Sequence, residues 1–227
     1  NRNDCWEKCA TSWKSLADNP EGIETDFVDN GSPKELDMET KLEALKGKGL
    51  VDDFLVLDSK VHPATARNIF WMAQIELSSD KDILVKMDGN MDAIAGWDTK
   101  VLEYFNINPN CGCMTVGYPE PITMTRCFHR GFQAIFVRQP IAKQIGGFRS
   151  YEDETGVNMY CDDIDYVRAS LVTEYNSANL ELYHHNPRPE EFKDKYVARF
   201  KSEATIRIRA LNRQFEEYKK GNYYVGE

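Results

Sequence analysis

Apolar positions along this chain recur with two spacings, and the two alternate through its first half. Trp6, Cys9, Trp13 and Leu16 follow a helical period behind the capping-box pair Asp4 and Glu7, and the Asn19-Pro20 step ends the run. Ile23, Thr25 and Phe27 then alternate with Glu24 and Asp26, which predicts a strand that stops in the turn Asp29-Asn30-Gly31-Ser32. Pro33 suits the first turn of a second helix, carrying Leu36, Leu42 and Leu45 and closing at Gly47 and Gly49. A strand is expected within residues 50–57, a helix after Pro63 with Ile69, Met72 and Ile75, and a buried strand ending at Met87. Strands alternating with helices predict βαβ crossovers and a mostly parallel sheet.

The second half reads differently. A helix over residues 97–105 leads into a Gly-, Pro- and Cys-rich stretch at 108–121, then a strand at 132–137 and a short helix at 141–145. A further helix starts near Asp162, a last strand covers 180–183, and a long charged helix fills much of 190–220. The expected fold is α/β, a Rossmann-like, mostly parallel sheet flanked by helices in one domain of 227 residues. No internal repeat or low-complexity tract interrupts it.

Composition narrows the function. Hydrophobic residues at 41% and charged residues at 29% are ordinary for a folded domain. A net charge of -9 argues against general binding to nucleic acid, which needs clustered Lys and Arg to neutralise phosphates. No apolar run is long enough for a membrane span, and the six cysteines do not form a dense disulfide framework. The expectation is a cytoplasmic protein with free thiols and no signal peptide ahead of its first helix. Cys111, Cys113, Cys127 and His129 lack the C-x-x-C knuckle that would identify a zinc site.

The chemistry concentrates at element ends. The apolar run 82–87 breaks into Asp88-Gly89-Asn90-Met91-Asp92, just past the carboxyl end of a predicted strand, where α/β sheets bind ligands. Closely spaced carboxylate and amide oxygens suit a hard cation such as Mg²⁺ or Mn²⁺, which can hold a diphosphate; the same residue types also build ordinary turns. Three more polar clusters fall at element ends: Asp29 to Ser32, Asp162-Asp163-Ile164-Asp165, and His184-His185. Asp162 and Asp163 also suit a helix start, where acidic residues cap and complement the dipole.

In order and surroundings these clusters resemble the GT-A fold nucleotide-sugar glycosyltransferases, especially the inverting enzymes of glycosyltransferase family 2. The match runs through Asn1-Arg2, Val28-Asp29-Asn30-Gly31-Ser32, Ala66-Arg67-Asn68, Asp88-Gly89-Asn90 at the place of a D-x-D motif, Gly146-Gly147-Phe148, and Asp162-Asp163-Ile164-Asp165 followed by Arg168. It spans residues 1 to about 190. In that family a first strand leads into Asn-Arg, and this sequence begins at Asn1-Arg2, so either that strand lies upstream or the sheet is built differently.

The resemblance implies a sugar moved from a nucleoside diphosphate donor, expected to be UDP-linked, to an acceptor hydroxyl on a glycan, lipid, protein or small molecule. Asp29 with Asn30 would receive the base, Arg67 would lie near base or phosphates, and Asp88 with Asn90 would bind Mn²⁺ or Mg²⁺. Asp163 would be the general base, and His184 or His185 would complete the metal site or touch the diphosphate. Asp162, Gly147 and Asp92 would be acceptor-side or secondary residues. Residues 1–107 would form the donor half and 108–190 the acceptor half, with 108–130 and 150–159 shaping the acceptor cleft.

Other readings compete. A noncatalytic domain of the same fold would bind a sugar nucleotide or a partner protein. A haloacid dehalogenase-like phosphatase would need its nucleophilic aspartate where Lys86 stands, and lysine cannot form the aspartyl-phosphate. An EF-hand loop starting at Asp88 would need Gly at Ala93 and Glu at Thr99.

Overall fold

The structure is a computed structural model and describes residues 6–116, 134–148, 151–152, 158–159, 172–178, 182–184 and 220. Its centre is a four-stranded sheet ordered β3-β6-β5-β9, from β3 (Ile83–Met87), β6 (Ala134–Arg138), β5 (Cys111–Val116) and β9 (Glu174–Ala178). The β3–β6 and β6–β5 pairs are antiparallel and β5–β9 is parallel. A separate parallel pair joins β1 (Asp26–Asp29) to β2 (Asp53–Val56), with Asp26 opposite Asp53 and Asp29 opposite Val56. Short strands β4 (Met91–Asp92) and β10 (Tyr183–His184) pair antiparallel, as do β7 (Tyr151–Glu152) and β8 (Asn158–Met159). The α/β class expected from the alternating periods is the one observed.

Helices cover both faces of the central sheet. On one face α1 (Trp6–Ser15) and α4 (Trp97–Ile107) press Trp13, Trp97, Val101 and Phe105 onto Phe136, Met114 and Cys111. On the other, α3 (Pro63–Leu77) and α5 (Gln139–Ile145) press Trp71, Ile75, Ala142 and Ile145 onto Leu84, Ile135, Val137 and Cys113. Helix α2 (Met38–Gly47) buries Leu45 against Val51 beneath the β1–β2 pair. Strands packed on both sides read as continuous apolar runs, which is why Ala134 to Val137 shows no alternation.

Buried indoles anchor the first face. Trp13 donates from Nε1 to Met91 O at 2.9 Å, Trp97 donates to Trp13 O at 2.7 Å, and the rings meet edge-on at 4.9 Å. These bonds tie α1, β4 and α4 into one unit.

Several elements differ from the pattern-based expectation. The strand expected at 23–27 is displaced to Asp26–Asp29, because the ladder with β2 sets its ends and a 3-10 turn at Pro20–Gly22 occupies the approach. The helix expected from Pro33 is split: a 3-10 turn covers Lys34–Leu36, Asp37 takes a left-handed backbone (φ 47°), and α2 starts at Met38. The last strand lies at Tyr183–His184 instead of 180–183.

Strand β5 was not expected at all. The resemblance implies that residues 108–130 shape the acceptor cleft, yet Cys111, Cys113, Met114 and Thr115 are core residues. A register shift between Cys111 and Cys113 sends the two thiols into the cores on opposite sheet faces, so they do not act as a paired metal site. Burial pushes the Cys113 thiol far up, and the adjacent Cys111 adds to it. The helix near Asp162 and the C-terminal helix lie outside the described residues. No helix among the described residues is long and apolar enough to cross a membrane.

The α1–α4 joint also depends on Asp98, in the first turn of α4. Its two carboxylate oxygens accept from the Asp18 and Asn19 backbone N–H groups, each at 2.9 Å. Burial acts to raise this carboxyl, but the backbone donors of Asp18, Asn19, Thr99 and Asp98 outweigh it and hold it below its ordinary value. A folded-state value below the unfolded one means the stabilisation is present above the unfolded pKa and is lost as pH falls through the folded value. Asp98→Ala is expected to cost about 2–3 kcal/mol at neutral pH, the scale for charged hydrogen bonds. Urea titrations should show that the difference shrinks below about pH 4; an equal difference at acid and neutral pH would contradict the assignment.

Candidate active site at the carboxyl ends of β1 and β3

Helix α3 fixes the relative direction of the two parts of the sheet. Near its amino end, the Asn30 side chain, just past β1, exchanges two 2.9 Å bonds with the Val61 backbone, and Arg67 reaches Asp88, just past β3. Near its carboxyl end, Gln74 donates to Glu24 and Asp26 ahead of and within β1, while Gln139, which bonds Asp82 O through its backbone, donates to Ile75 O. Strands β1 and β3 therefore run the same way, antiparallel to α3. Their carboxyl ends share one rim of the molecule. A groove of about 620 Å³ opens there between Asn30, Arg67, Asp88 and Gly89.

The first rim turn is internally bonded. Asp29 is buried, and its carboxylate accepts from the Ser32 backbone N–H at 2.9 Å and from the Ser32 hydroxyl. Gly31 has φ 70°, and a Cβ there would lie 2.5 Å from the Lys60 backbone nitrogen, so only glycine fits the turn. Asp29 is thus spent first on shaping the turn after β1, and Asn30 on tying that turn to the Val61 segment that leads into α3.

At the second turn, charge is concentrated. Asp88 Oδ1 lies 3.0 Å from Lys86 Nζ and 3.2 Å from Arg67 Nη2. The Lys86 side chain is only 3% exposed, a cation held inside the wall of β3. In the sequence it stands as one member of an apolar run. Its signal was available: a lysine two residues before an aspartate in a buried strand lies on the same strand face and needs a partner. The Met91 N–H closes the turn on Asp88 O at 3.1 Å, leaving Gly89 and Asn90 at its tip.

Two motifs far apart in sequence are joined beside this cluster. Asn68 donates to Phe148 O at 2.8 Å and accepts from Phe148 N–H at 2.7 Å, while Trp71 donates to Gly146 O at 3.3 Å. A Cβ on Gly147 would meet Asn68 Oδ1 and Met72 Sδ at 2.8 Å, so the glycine permits the contact. Phe148 packs on Trp71 at 4.9 Å and places its ring 5.9 Å from the Arg67 guanidinium. Gly147 thereby acts on Arg67 through Phe148.

Asp92 is drawn the other way. It is buried in β4, and its Oδ2 takes the Lys8 ammonium at 2.7 Å, linking α1 to the short β4–β10 pair. The backbone of His184 stands opposite Met91 in that pair, which brings the histidine segment beside the Asp88 turn. His185, Asp162 and Asp163 lie outside the described residues.

Asp88 supplies a carboxylate and Asn90 has an amide oxygen on the same tight turn, a donor chemistry suited to Mg²⁺ or Mn²⁺. Among the described residues, no group of three or more His, Cys, Asp or Glu side chains is arranged to hold a metal ion. A dication at Asp88 would share its carboxylate with two resident cations.

The sequence matches no family model and no curated protein. Solved structures do match. PcManGT, a mannosyltransferase from Pyrobaculum calidifontis in complex with GDP-Man and Mn²⁺, is similar with a TM-score of 0.53 at 14% identity, over 77% of this chain and 50% of its own. S. aureus TarS gives 0.55 at 14% identity, over 86% of this chain and 36% of its own. This chain spans half or less of those proteins, and at such identity the likeness concerns the fold. The rim carrying Asn30, Arg67 and Asp88 belongs to a glycosyltransferase fold.

Proposed function

We propose that the protein is a glycosyltransferase that moves a sugar from a nucleoside diphosphate sugar, UDP-linked, to an acceptor hydroxyl with inversion. The observation that carries this reading is the meeting of Asn30, Arg67 and Asp88 on one rim of this fold, at the carboxyl ends of two strands. Asp29 and Asn30 shape the pocket edge that receives the base, and Arg67, steadied by Phe148, faces the diphosphate. Asp88 and Asn90 would hold Mn²⁺ or Mg²⁺, with His184 or His185 as a further ligand. When bound, the ion neutralises charge developing on the departing nucleoside diphosphate.

In the transfer, the acceptor oxygen bonds to the anomeric carbon as the bond to the diphosphate oxygen breaks. Asp163 is assigned the role of base, taking the acceptor hydroxyl proton, with Asp162 beside it on the acceptor side. Lys86 is too enclosed to reach a ligand and works through Asp88 by holding its carboxylate in place and reducing its net charge.

Release of nucleoside diphosphate from UDP- and GDP-linked sugars, with and without Mn²⁺, tests the activity. Turnover should require the ion, and Asp163→Asn should lower it by about 10²–10⁴-fold while leaving donor binding intact. Donor binding with no turnover on any acceptor would favour a noncatalytic sugar-nucleotide-binding domain. Asp88→Ala should weaken Mn²⁺-dependent donor binding. Lys86→Met removes one competing cation, and isothermal titration should find Mn²⁺ bound more tightly, on the order of tenfold. Unchanged Mn²⁺ affinity in both variants would move the metal site elsewhere.

A further inference from the structure

Two packing demands meet at consecutive residues of the first rim turn. The Asn30 side chain donates from Nδ2 to Val61 O and accepts at Oδ1 from the Val61 N–H, each at 2.9 Å, so an amide is required: a carboxylate has nothing to donate. The next residue must be glycine. Gly31 has φ 70°, and a Cβ there would lie 2.5 Å from Lys60 N and 2.6 Å from the Ser59 carbonyl carbon, backbone atoms of the segment that leads to Val61. The clamp that fastens the turn after β1 to the approach of α3 therefore forces an Asn-Gly step, and no other Asn in the chain is followed by glycine.

Such a step carries its own chemistry. The backbone nitrogen of the second residue can attack the side-chain amide carbon of the first, and glycine, having no side chain, leaves that nitrogen open. Here the bond formed is Gly31 N to Asn30 Cγ and the bond broken is Cγ–Nδ2. Ammonia leaves with the proton of the Gly31 N–H, and a cyclic imide, the succinimide, remains. Water then opens either carbonyl of the ring, giving aspartate or, with the chain rerouted through Cγ, isoaspartate. The second rim turn holds the related step Asp88-Gly89, but its carboxylate, paired with Lys86 and Arg67, is a much poorer electrophile than an amide.

We propose that Asn30-Gly31 is a self-modification site: Asn30 converts through the succinimide to aspartate and isoaspartate whenever the clamp to Val61 opens, and the products keep the clamp open. Closing the ring swings Cγ toward the Gly31 nitrogen and off Val61, so both bonds must break first. The folded chain thus reacts only in the fraction of molecules whose clamp is open. Afterwards the amide donor is gone, and a carboxylate oxygen faces Val61 O, acceptor against acceptor. Isoaspartate also adds a methylene to the backbone at a turn where residues 59–60 leave no room for a Cβ. Either product unfastens the turn after β1 from the chain entering α3. The inference rests on the clamp and is independent of the proposed activity.

Peptide mapping by mass spectrometry of the chain held at mildly alkaline pH, folded and in concentrated guanidinium, follows the conversion of Asn30. The folded chain should convert on the order of ten to a hundred times more slowly, the scale for losing two hydrogen bonds. Hydrogen exchange reads the same opening, because the Val61 N–H is one of the clamp's donors, so its protection should match the slowing of conversion. Val61→Pro, which removes that donor, should return conversion toward the unfolded rate; where this variant does not fold, the match between exchange and conversion in the unaltered chain decides. Asn30→Asp, standing for the product, should speed amide exchange in residues 58–62 by about tenfold. The proposal is overturned if folded and unfolded chains convert equally fast, or if the folded chain shows no conversion after about a hundred unfolded half-lives. It is equally overturned if Val61 protection and the slowing differ by more than about tenfold, or if Asn30→Asp leaves exchange at 58–62 unchanged.

Discussion

Helix α3 is the constraint to which the rest of the rim is referred. In five turns or fewer it contacts both parts of the sheet and α5: Arg67 to Asp88, Asn68 to Phe148, Trp71 to Gly146, Gln74 to Asp26, and Ile75 to Gln139. All five of these bonds end on backbone carbonyls or carboxylates that are partly or wholly buried, where an unmet partner is costly. The helix cannot slide along its axis by one residue without breaking them together. Asn30 and Asp88 therefore stand at fixed positions, although they belong to strands that do not pair with each other.

Electrostatics at the rim run against the character of the whole chain. The protein carries a net charge of -9, yet its Asp88 turn is held by two cations, one of them enclosed in the wall of β3. Enclosing a lysine is expensive unless it is paired, and Asp88 supplies that pair, which fixes its carboxylate in place. Arg67 differs: it is partly exposed and braced by an aromatic ring, which leaves its guanidinium able to face a ligand while still touching Asp88. The two cations have separate roles because one is buried and the other is not.

What could be read from the residues divides along physical lines. Turn chemistry was legible: Asp29 to Ser32 and Asp88 to Asn90 break apolar runs and form turns at strand ends. Motif pairing was not, since nothing in the spacing of Asn68 and Phe148 says that an amide will bond the backbone eighty positions away. Strand β5 escaped because its burial on both faces removes alternation, its interior holds a glycine, and its thiols resembled metal ligands more than core. Lys86 was hidden by its apolar neighbours. Asp163, on which the proposed chemistry depends most, lies outside the described residues, and its assignment rests on the acidic pattern at 162–165.

The width of the rim is set by the groove below it. Asn30 and Asp88 continue from strands that border the same groove, so any change in the separation of β1 and β3 moves the Asp29–Ser32 turn relative to the Asp88 turn. Helix α3 resists that change from one face, and the Trp13–Trp97 pair bears on the groove from the other. Neither supplies hydrogen bonds along the facing edges. Preorganisation of the rim matters for the proposed transfer, where misplacement by about 1 Å costs on the order of 10²-fold in rate. The floor of the groove and the geometry of the rim are thus one mechanical problem.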